Sequence, residues 1–127
     1  MVDSAAVVDA LTGLSAADRL REHLAGEELH APALVDFEIV SALRGLLRAG
    51  QLSAGRAQDA VTDLDDLPIR RWPFVDALRR RALQLRENLS AYDAAYVALA
   101  EALECPLVTR DARLGRSTGH GARIELR

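Results

Sequence analysis

The stretch LSAYDAAYVALAEALECPLVTRDARL, residues 89–114, joins a helical pattern to a short apolar run and then reaches an acid. Ser90 is a suitable N-cap for a helix over residues 91–103. The more apolar side of that helix carries Tyr92, Ala95, Tyr96, Leu99 and Leu103. A buried strand is predicted over residues 106–109, and Asp111 lies two positions after its last residue. A helix leading into a buried strand is typical of parallel α/β sheets, in which sites form beyond the carboxyl ends of strands.

The same alternation of helices and short strands extends along the rest of the chain. Further helices are predicted over residues 4–12, 16–24, 33–48, 53–64 and 73–86. Extended runs are predicted over residues 1–2, 28–31, 67–72 and 122–126, and a polar loop over residues 111–121. Repeats, low-complexity segments and linkers are absent from the sequence. We therefore predict one α/β domain over residues 1–127, with a central, mostly parallel sheet flanked by helices.

The composition excludes several classes of protein. Half of the 127 residues are hydrophobic and 28% are charged, which is the balance of a folded domain rather than a disordered chain. Aromatic residues are scarce, so extensive stacking on nucleic-acid bases is not expected. The single cysteine, Cys105, excludes an internal disulfide framework. The sequence contains no leader pattern and no membrane-span pattern, so we expect a cytoplasmic protein without membrane contacts.

The basic residues are all of one type. All 16 are arginine, and the net charge is −3. A GC-rich coding bias explains such a composition, but the composition also has a chemical consequence. Mechanisms that need lysine are excluded, among them a nucleotide-binding P-loop. Arginine favours bidentate contacts with carboxylate or phosphate groups.

One acid stands in an unexpected place. Glu38 lies at the edge of the apolar side of the helix predicted over residues 33–48, one turn from Leu34 and Ala42. A carboxylate beside a core is costly unless it is paired, hydrogen-bonded or bound to a metal. Glu38 is therefore either a helix-flank residue paired with an arginine or a member of a site.

Four acids occupy suggestive positions: Asp3, Glu38, Asp93 and Asp111. Each also has an ordinary structural interpretation. Asp3 is suited to cap the following helix, Asp93 completes a capping box with Ser90, and Asp111 suits a turn after a strand. As a set, however, acids at several element ends repel one another unless a cation is present. Carboxylate oxygens favour hard cations such as Mg²⁺ and Mn²⁺, and no Cys/His spacing typical of zinc occurs.

The segments VDSAAVVDAL, PALVDFEIVSAL and YDAAYVALA with PLVTRD follow one another in an order that resembles PIN-domain ribonucleases. The resemblance covers nearly the whole chain and is strongest to the VapC toxins of bacterial VapBC toxin–antitoxin pairs. It implies a PIN-like fold and a Mg²⁺-dependent endoribonuclease, with Mn²⁺ as a possible substitute. Its acidic catalytic and metal-binding site would fall on Asp3, Glu38, Asp93 and Asp111.

The resemblance also implies supporting residues. Ser4 and Thr109 match the small hydroxyl residues beside the first and last acids and would hydrogen-bond the carboxylates. Three arginines flank Asp111: Arg110, Arg113 and Arg116. They either contact the RNA backbone or are solvated charges of a loop. Two features depart from the family pattern. Only two residues precede Asp3, where family members usually have a longer apolar strand. Arg113 and Leu114 stand where some relatives carry a further acid, so we expect a second metal ion to bind weakly or only together with RNA.

The partners implied by the resemblance are an RNA substrate, a VapB-type antitoxin that masks the acids with a basic residue, and a second copy of the chain in a homodimer. Two other classes of function compete with this one. A PIN-fold module that binds RNA or protein without cleavage keeps the fold and loses the chemistry. A receiver-like domain also gathers acids at strand ends, but receivers normally need a lysine that this sequence lacks.

Overall fold

Seven helices and four short strands make up the computed structural model, which describes residues 1–13 and 17–127. The helices are α1 Ser4–Thr12, α2 Asp18–Leu24, α3 Val35–Arg48, α4 Ala54–Asp66, α5 Asp76–Gln84, α6 Ala91–Leu103 and α7 Ala112–Gly115. The strands are β1 Leu29–Pro32, β2 Ile69–Trp72, β3 Leu107–Thr109 and β4 Ile124–Leu126. The predicted α/β alternation is confirmed. Each helix in this part of the chain is too short or too polar to cross a membrane.

The strands form two parallel pairs that the N-terminal residues connect. β1 pairs with β2 and β3 pairs with β4, both in parallel register. Val2 forms a parallel bridge with Val108, and its backbone N–H donates to the carbonyl of His30 at 3.0 Å. The N-terminal segment therefore lies between β1 and β3. Asp3, which follows it, leaves the sheet at the carboxyl end, next to the end of β3.

Helix α6 forms the centre of the core. Its residues 94–100 are all buried, and the helix packs on β1, β3 and α5. A helix that is apolar on every side is expected in the middle of a domain rather than at its surface. Several of these residues are alanines, whose small side chains let neighbouring elements approach closely. Tyr96 is the largest side chain among them and is 2% exposed.

Local capping signals predicted several helix ends correctly. Ser53 and Ser90 cap α4 and α6 by accepting hydrogen bonds from Arg56 N and Asp93 N, both at 3.2 Å. Gly13 ends α1 with a positive φ of 67°, the left-handed conformation that glycine adopts without strain. The helices predicted over residues 4–12 and 91–103 have the predicted bounds.

Other boundaries differ from the predictions. α5 begins at Asp76 rather than at residue 73: its N-cap, Val75, has an extended backbone and supplies no side-chain cap. The predicted loop over residues 111–121 contains the short helix α7, which Asp111 caps through its carboxylate. α4 continues two residues beyond the predicted end at residue 64. Residue 16, where the second helix is predicted to begin, lies outside the described residues.

Candidate active site

Asp3 is the most buried acid of the predicted set, at 6% exposed. Its Oδ1 accepts a hydrogen bond from Ala6 N at 2.9 Å, which caps α1, and the Thr109 hydroxyl donates to its Oδ2. Burial raises the pKa of Asp3 to about 6; the two hydrogen bonds oppose this shift, and the charges of Asp111 and Asp93 add to it. Asp3 is thus both a helix cap and a carboxylate that is costly to ionise without a cation.

Glu38 reaches the same region from the first turn of α3. The Tyr96 hydroxyl donates a hydrogen bond to Glu38 Oε1 at 2.7 Å, and Ser4 also hydrogen-bonds the carboxylate. Burial raises the pKa of Glu38, with the charge of Asp93 adding to the effect and the Tyr96 and Ser4 bonds opposing it. Burial and the bond to Glu38 raise the pKa of the Tyr96 hydroxyl, which therefore remains a hydrogen-bond donor. The position of Glu38 beside the core is thus explained by a buried tyrosine rather than by an arginine.

Asp93 and Asp111 share one guanidinium group. Arg113 Nη2 lies 3.2 Å from Asp93 Oδ2 and 3.4 Å from Asp111 Oδ2. Asp111 also accepts hydrogen bonds from the backbone N–H groups of Arg113 and Leu114. Burial raises the pKa of Asp111, but these bonds and the Arg113 charge outweigh it, so the net shift is downward. The Asp93 carboxylate is 23% exposed and pairs with Arg113. Among the described residues, the predicted capping box is therefore only half formed: Ser90 accepts from Asp93 N, but the Asp93 side chain does not bond back to Ser90.

The four acids come from four separate segments and act on one another electrostatically. Asp3 interacts with Asp93 and Asp111, and Glu38 interacts with Asp93. Thr109 connects two of them, because its hydroxyl donates to Asp3 and accepts from Asp111 N at 2.9 Å. These contacts link the four predicted acids to one another at the end of the sheet where Asp3 and Thr109 meet.

The donor chemistry of this cluster suits a hard cation. All donors are carboxylate or hydroxyl oxygens, and the burial of Asp3 leaves a cost that a divalent cation would offset. As arranged, no three His, Cys, Asp or Glu side chains within residues 1–13 and 17–127 are close enough to form a ready metal site. Arg113 supplies positive charge between Asp93 and Asp111. A cation that bound both carboxylates would compete with this guanidinium for the same oxygens.

The three arginines near Asp111 lie in different surroundings. Arg113 is 74% exposed and faces the acids. Arg116 is exposed at the C-terminal end of α7. Arg110 is mostly buried and pairs with Asp9 on α1, with its Nε 2.8 Å from Asp9 Oδ2. Arg113 and Arg116 are therefore the more accessible members of the group.

The sequence prediction did not include Tyr96 among the site residues. Tyr96 was assigned to the apolar side of α6, and the structure adds a hydrogen bond from its hydroxyl to Glu38. One signal was present in the sequence: Tyr96 follows Asp93 by three residues, and residues at that spacing lie on the same face of a helix. The pairing of Arg113 with two of the acids was not predicted either.

Comparisons with known proteins identify the family of the chain. The family model for the PIN domain matches residues 1–118. The chain is 40% identical over 126 residues to ribonuclease VapC12 of Mycobacterium tuberculosis, covering 99% of this chain and 97% of the relative. It is 48% identical over 111 residues to VapC ribonuclease Mb0985 of Mycobacterium bovis, covering 85% of this chain and 87% of the relative. It is 41% identical over 127 residues to ribonuclease VapC1 of Mycobacterium tuberculosis, covering 99% and 96%. Four carboxylates gathered beyond the strand ends of an α/β sheet, together with these matches, show that the chain belongs to the PIN-domain family and, within it, to the VapC ribonucleases.

Proposed function

We propose that the chain is a Mg²⁺- or Mn²⁺-dependent endoribonuclease and the toxin of a type II toxin–antitoxin pair. The observation that carries the proposal is the convergence of Asp3, Glu38, Asp93 and Asp111 from four separate segments into one electrostatically coupled cluster. Carboxylates that repel one another in this way are unfavourable unless a cation joins them. The names of the relatives, which describe ribonucleases, give the substrate class.

In this proposal the four acids hold the cation, and neighbouring residues orient them. Thr109 and the N-terminus of α1 orient Asp3. Tyr96 and Ser4 orient Glu38 and keep it available as an anion by opposing its raised pKa. A divalent cation held by these residues would supply Lewis-acid activation of a water molecule and stabilisation of phosphoryl charge, so the site would need no histidine base.

Arginine side chains would then bind the RNA backbone. Arg113 becomes available for phosphate once a cation neutralises Asp93 and Asp111, because its present partners are those two carboxylates. Arg116 lies at the C-terminal end of the same short helix and adds a second exposed charge. Arg110 would join them only by leaving Asp9. Binding of this kind weakens with added salt, because phosphate contacts release counterions.

The test is an RNA cleavage assay on purified protein with total cellular RNA in Mg²⁺, in Mn²⁺ and in EDTA. The Asp93→Asn variant keeps the size of the side chain and removes its charge, so it is expected to abolish cleavage while remaining folded. Asp63→Asn is the matched control, because Asp63 is an exposed acid on α4. Discrete cuts that need metal and persist in Asp63→Asn support the proposal, whereas full activity of Asp93→Asn contradicts it.

Binding of Mn²⁺, followed by electron paramagnetic resonance, gives a readout independent of cleavage. Wild-type protein is expected to bind Mn²⁺, and Asp93→Asn to bind it at least about tenfold more weakly, since second-sphere or ligand changes commonly cost 10–100-fold. Mn²⁺ binding and RNA binding without any cleavage would favour the non-cutting PIN-fold module. Absence of Mn²⁺ binding by folded protein would contradict the metal assignment.

We also propose that a VapB-type antitoxin masks the acids. The position of Arg113 supports this, because a guanidinium between Asp93 and Asp111 is already electrostatically favourable. A basic side chain from another protein would find the same pair of carboxylates. Addition of a candidate antitoxin peptide is expected to displace Mn²⁺ and to stop cleavage; an antitoxin that inhibits without affecting Mn²⁺ would contradict this mode of inhibition.

We propose in addition that the chain forms a homodimer through α3 and α4. Phe37, Val40 and Leu47 on α3 and Val61 on α4 are exposed, and the last three border a groove of ≈ 220 Å³ between the two helices. Contiguous exposed apolar side chains often mark an interface. Sedimentation velocity at micromolar concentrations is expected to report a dimer that Val40→Asp converts to a monomer. A monomeric wild type would contradict the proposal.

A further inference from the structure

A small pocket opens beside Asp93, and Asp3 is not among the described residues that line it. Its volume is ≈ 90 Å³, and Asp93 and Arg113 form the part of its wall that faces the acidic cluster. Pockets for complete small-molecule ligands usually measure about 300–1,000 Å³. This pocket is therefore suited to one flat group of a larger ligand that extends across the four acids.

The rest of the pocket combines apolar and polar surfaces. Leu89 and Leu114 provide the apolar part, and Leu114 is almost fully buried. Asn88, Ser90 and Ser117 provide hydrogen-bonding groups. An apolar surface with a few polar groups at its edge is the usual arrangement for binding a flat, polar-edged ring.

The polar groups offer both donors and acceptors. The Ser117 hydroxyl donates to Leu114 O at 2.6 Å, so the contact between Ser117 Oγ and His120 Nε2 at 2.9 Å requires the histidine to donate. This leaves one acceptor lone pair on Ser117 Oγ. Ser90 Oγ accepts from Asp93 N and keeps its own hydrogen for donation. Asn88 uses one N–H for Thr118 O at 3.0 Å and retains the other N–H and its carbonyl oxygen.

The position of Asn88 depends on a glycine. Gly119 has a positive φ of 85°, and a Cβ atom at this position would collide with the Asn88 amide nitrogen. The absence of a side chain at Gly119 lets the amide lie against the 118–119 backbone, where Thr118 O holds it. The amide is thereby oriented before any ligand arrives, which reduces the entropy lost on binding.

We propose that this pocket is a nucleobase subsite for the nucleotide adjacent to the scissile phosphate. The inference rests on the proposed ribonuclease function and adds a determinant of sequence preference. Arg113 is the one cation among the described residues that line the pocket, and Asp93 and Asp111 already pair with it. A base suits the pocket better than a phosphate, because a phosphate offers only acceptors and would also meet the carboxylate of Asp93 and the acceptor on Ser117. A base edge presents both donors and acceptors, which match the groups of Asn88, Ser90 and Ser117, and Leu89 offers a partly exposed apolar contact for one face of the ring.

The test is an NMR titration of ¹⁵N-labelled wild-type protein in EDTA with AMP, CMP, GMP and UMP, beside ribose 5-phosphate and inorganic phosphate. We expect the amide signals of Asn88, Ser90 and Ser117 to shift with nucleotides, with one base bound at least about fivefold more tightly than the weakest, since one hydrogen bond contributes about 1 kcal/mol. Ribose 5-phosphate that binds as tightly as every nucleotide, with the same shifts, would overturn the base assignment. So would the absence of shifts at these three residues.

Variants of the pocket residues test whether the subsite affects RNA cleavage. Ser117→Ala and Asn88→Ala each remove hydrogen-bonding groups from the pocket, and Ser41→Ala on the exposed side of α3 is the control. Sequencing of RNA ends after cleavage is expected to show a weaker base preference, by about fivefold, next to the cut for both pocket variants. Unchanged preference in both folded variants overturns the subsite. If wild-type protein cuts no RNA but shows the nucleotide-specific shifts, the proposed function fails while the base-binding pocket stands.

Discussion

The buried carboxylate of Asp3 is expected to destabilise the metal-free protein at neutral pH. Its pKa rises from an ordinary value of 3.8 to about 6 on folding, because burial disfavours the charged form. Each pH unit between the two values corresponds to about 1.4 kcal/mol, so ionised Asp3 costs about 3 kcal/mol of folding free energy. Because the pKa of Asp3 is higher in the folded state, the free energy of unfolding decreases as the pH rises. The penalty is absent below the unfolded pKa, grows as the pH rises between the two values, and is complete above the folded pKa.

The Asp3→Asn variant isolates this cost. Asparagine is as good an N-cap as aspartate, so the bond from Ala6 N to the side-chain oxygen is retained. In EDTA near neutral pH the variant is expected to be more stable than wild type by up to about 3 kcal/mol. Any weakening of the Thr109 contact would reduce this gain. Below the unfolded pKa the difference should vanish, because Asp3 is then neutral in both states.

Urea unfolding followed by far-UV circular dichroism, repeated from acidic to neutral pH in EDTA, measures the difference directly. Asp63→Asn on the exposed surface of α4 controls for the change in net charge. Added Mg²⁺ should stabilise wild type more than Asp3→Asn, since the cation repays the cost of ionisation only where a carboxylate is present. A difference between wild type and Asp3→Asn that is constant across pH, or a wild type that is the more stable protein at neutral pH in EDTA, would refute the reasoning.

Three further substitutions test contacts around the site. Tyr96→Phe removes the 2.7 Å hydrogen bond to Glu38; it should raise the pKa of Glu38 further and weaken Mn²⁺ binding several-fold, and an unchanged Mn²⁺ affinity would argue against an orienting role. Thr109→Val removes the donor to Asp3 and should destabilise the protein by about 1–3 kcal/mol in urea unfolding, because a buried acceptor loses its partner; a neutral effect would contradict this. Glu101→Gln disrupts the paired hydrogen bonds of 2.8 and 2.9 Å from Arg81. The bond from Arg81 lowers the pKa of Glu101. A double-mutant cycle with Arg81→Ala should therefore give a coupling free energy between the two residues at neutral pH that is lost as the pH falls through the lowered pKa of Glu101. A coupling free energy that persists in strong acid would contradict the ion pair.

Local sequence signals predicted the helices whose ends are capped by their own neighbours. Asp3 and Gly13 bound α1, and Ser90 starts α6, so both helices have the predicted limits. These signals act over three or four residues and are therefore visible in the sequence. α5 began later than predicted because its N-cap, Val75, forms no side-chain hydrogen bond that could mark the boundary.

The sequence placed the four acids on separate elements, but it did not predict their mutual contacts. Alternation of helices and strands predicts a parallel sheet, and parallel strands bring their carboxyl ends to one edge. The position of the N-terminal segment between β1 and β3, which brings Asp3 next to Thr109, depends on the order of strands in the sheet. That order is not encoded in the periodicity of any one element.

By itself, the sequence determined the residue types of this site: four carboxylates, two small hydroxyl residues and a group of arginines without any lysine. It also determined the α/β class, because apolar periodicity and capping are local properties. Only the tertiary structure decided which groups touch. Tyr96 contacts Glu38 across 58 positions of the chain, and Thr109 contacts Asp3 across 106. A hydrogen bond requires two atoms to approach within about 3 Å, and over such separations that distance is set by how helices and strands pack, not by the spacing of residues along the chain.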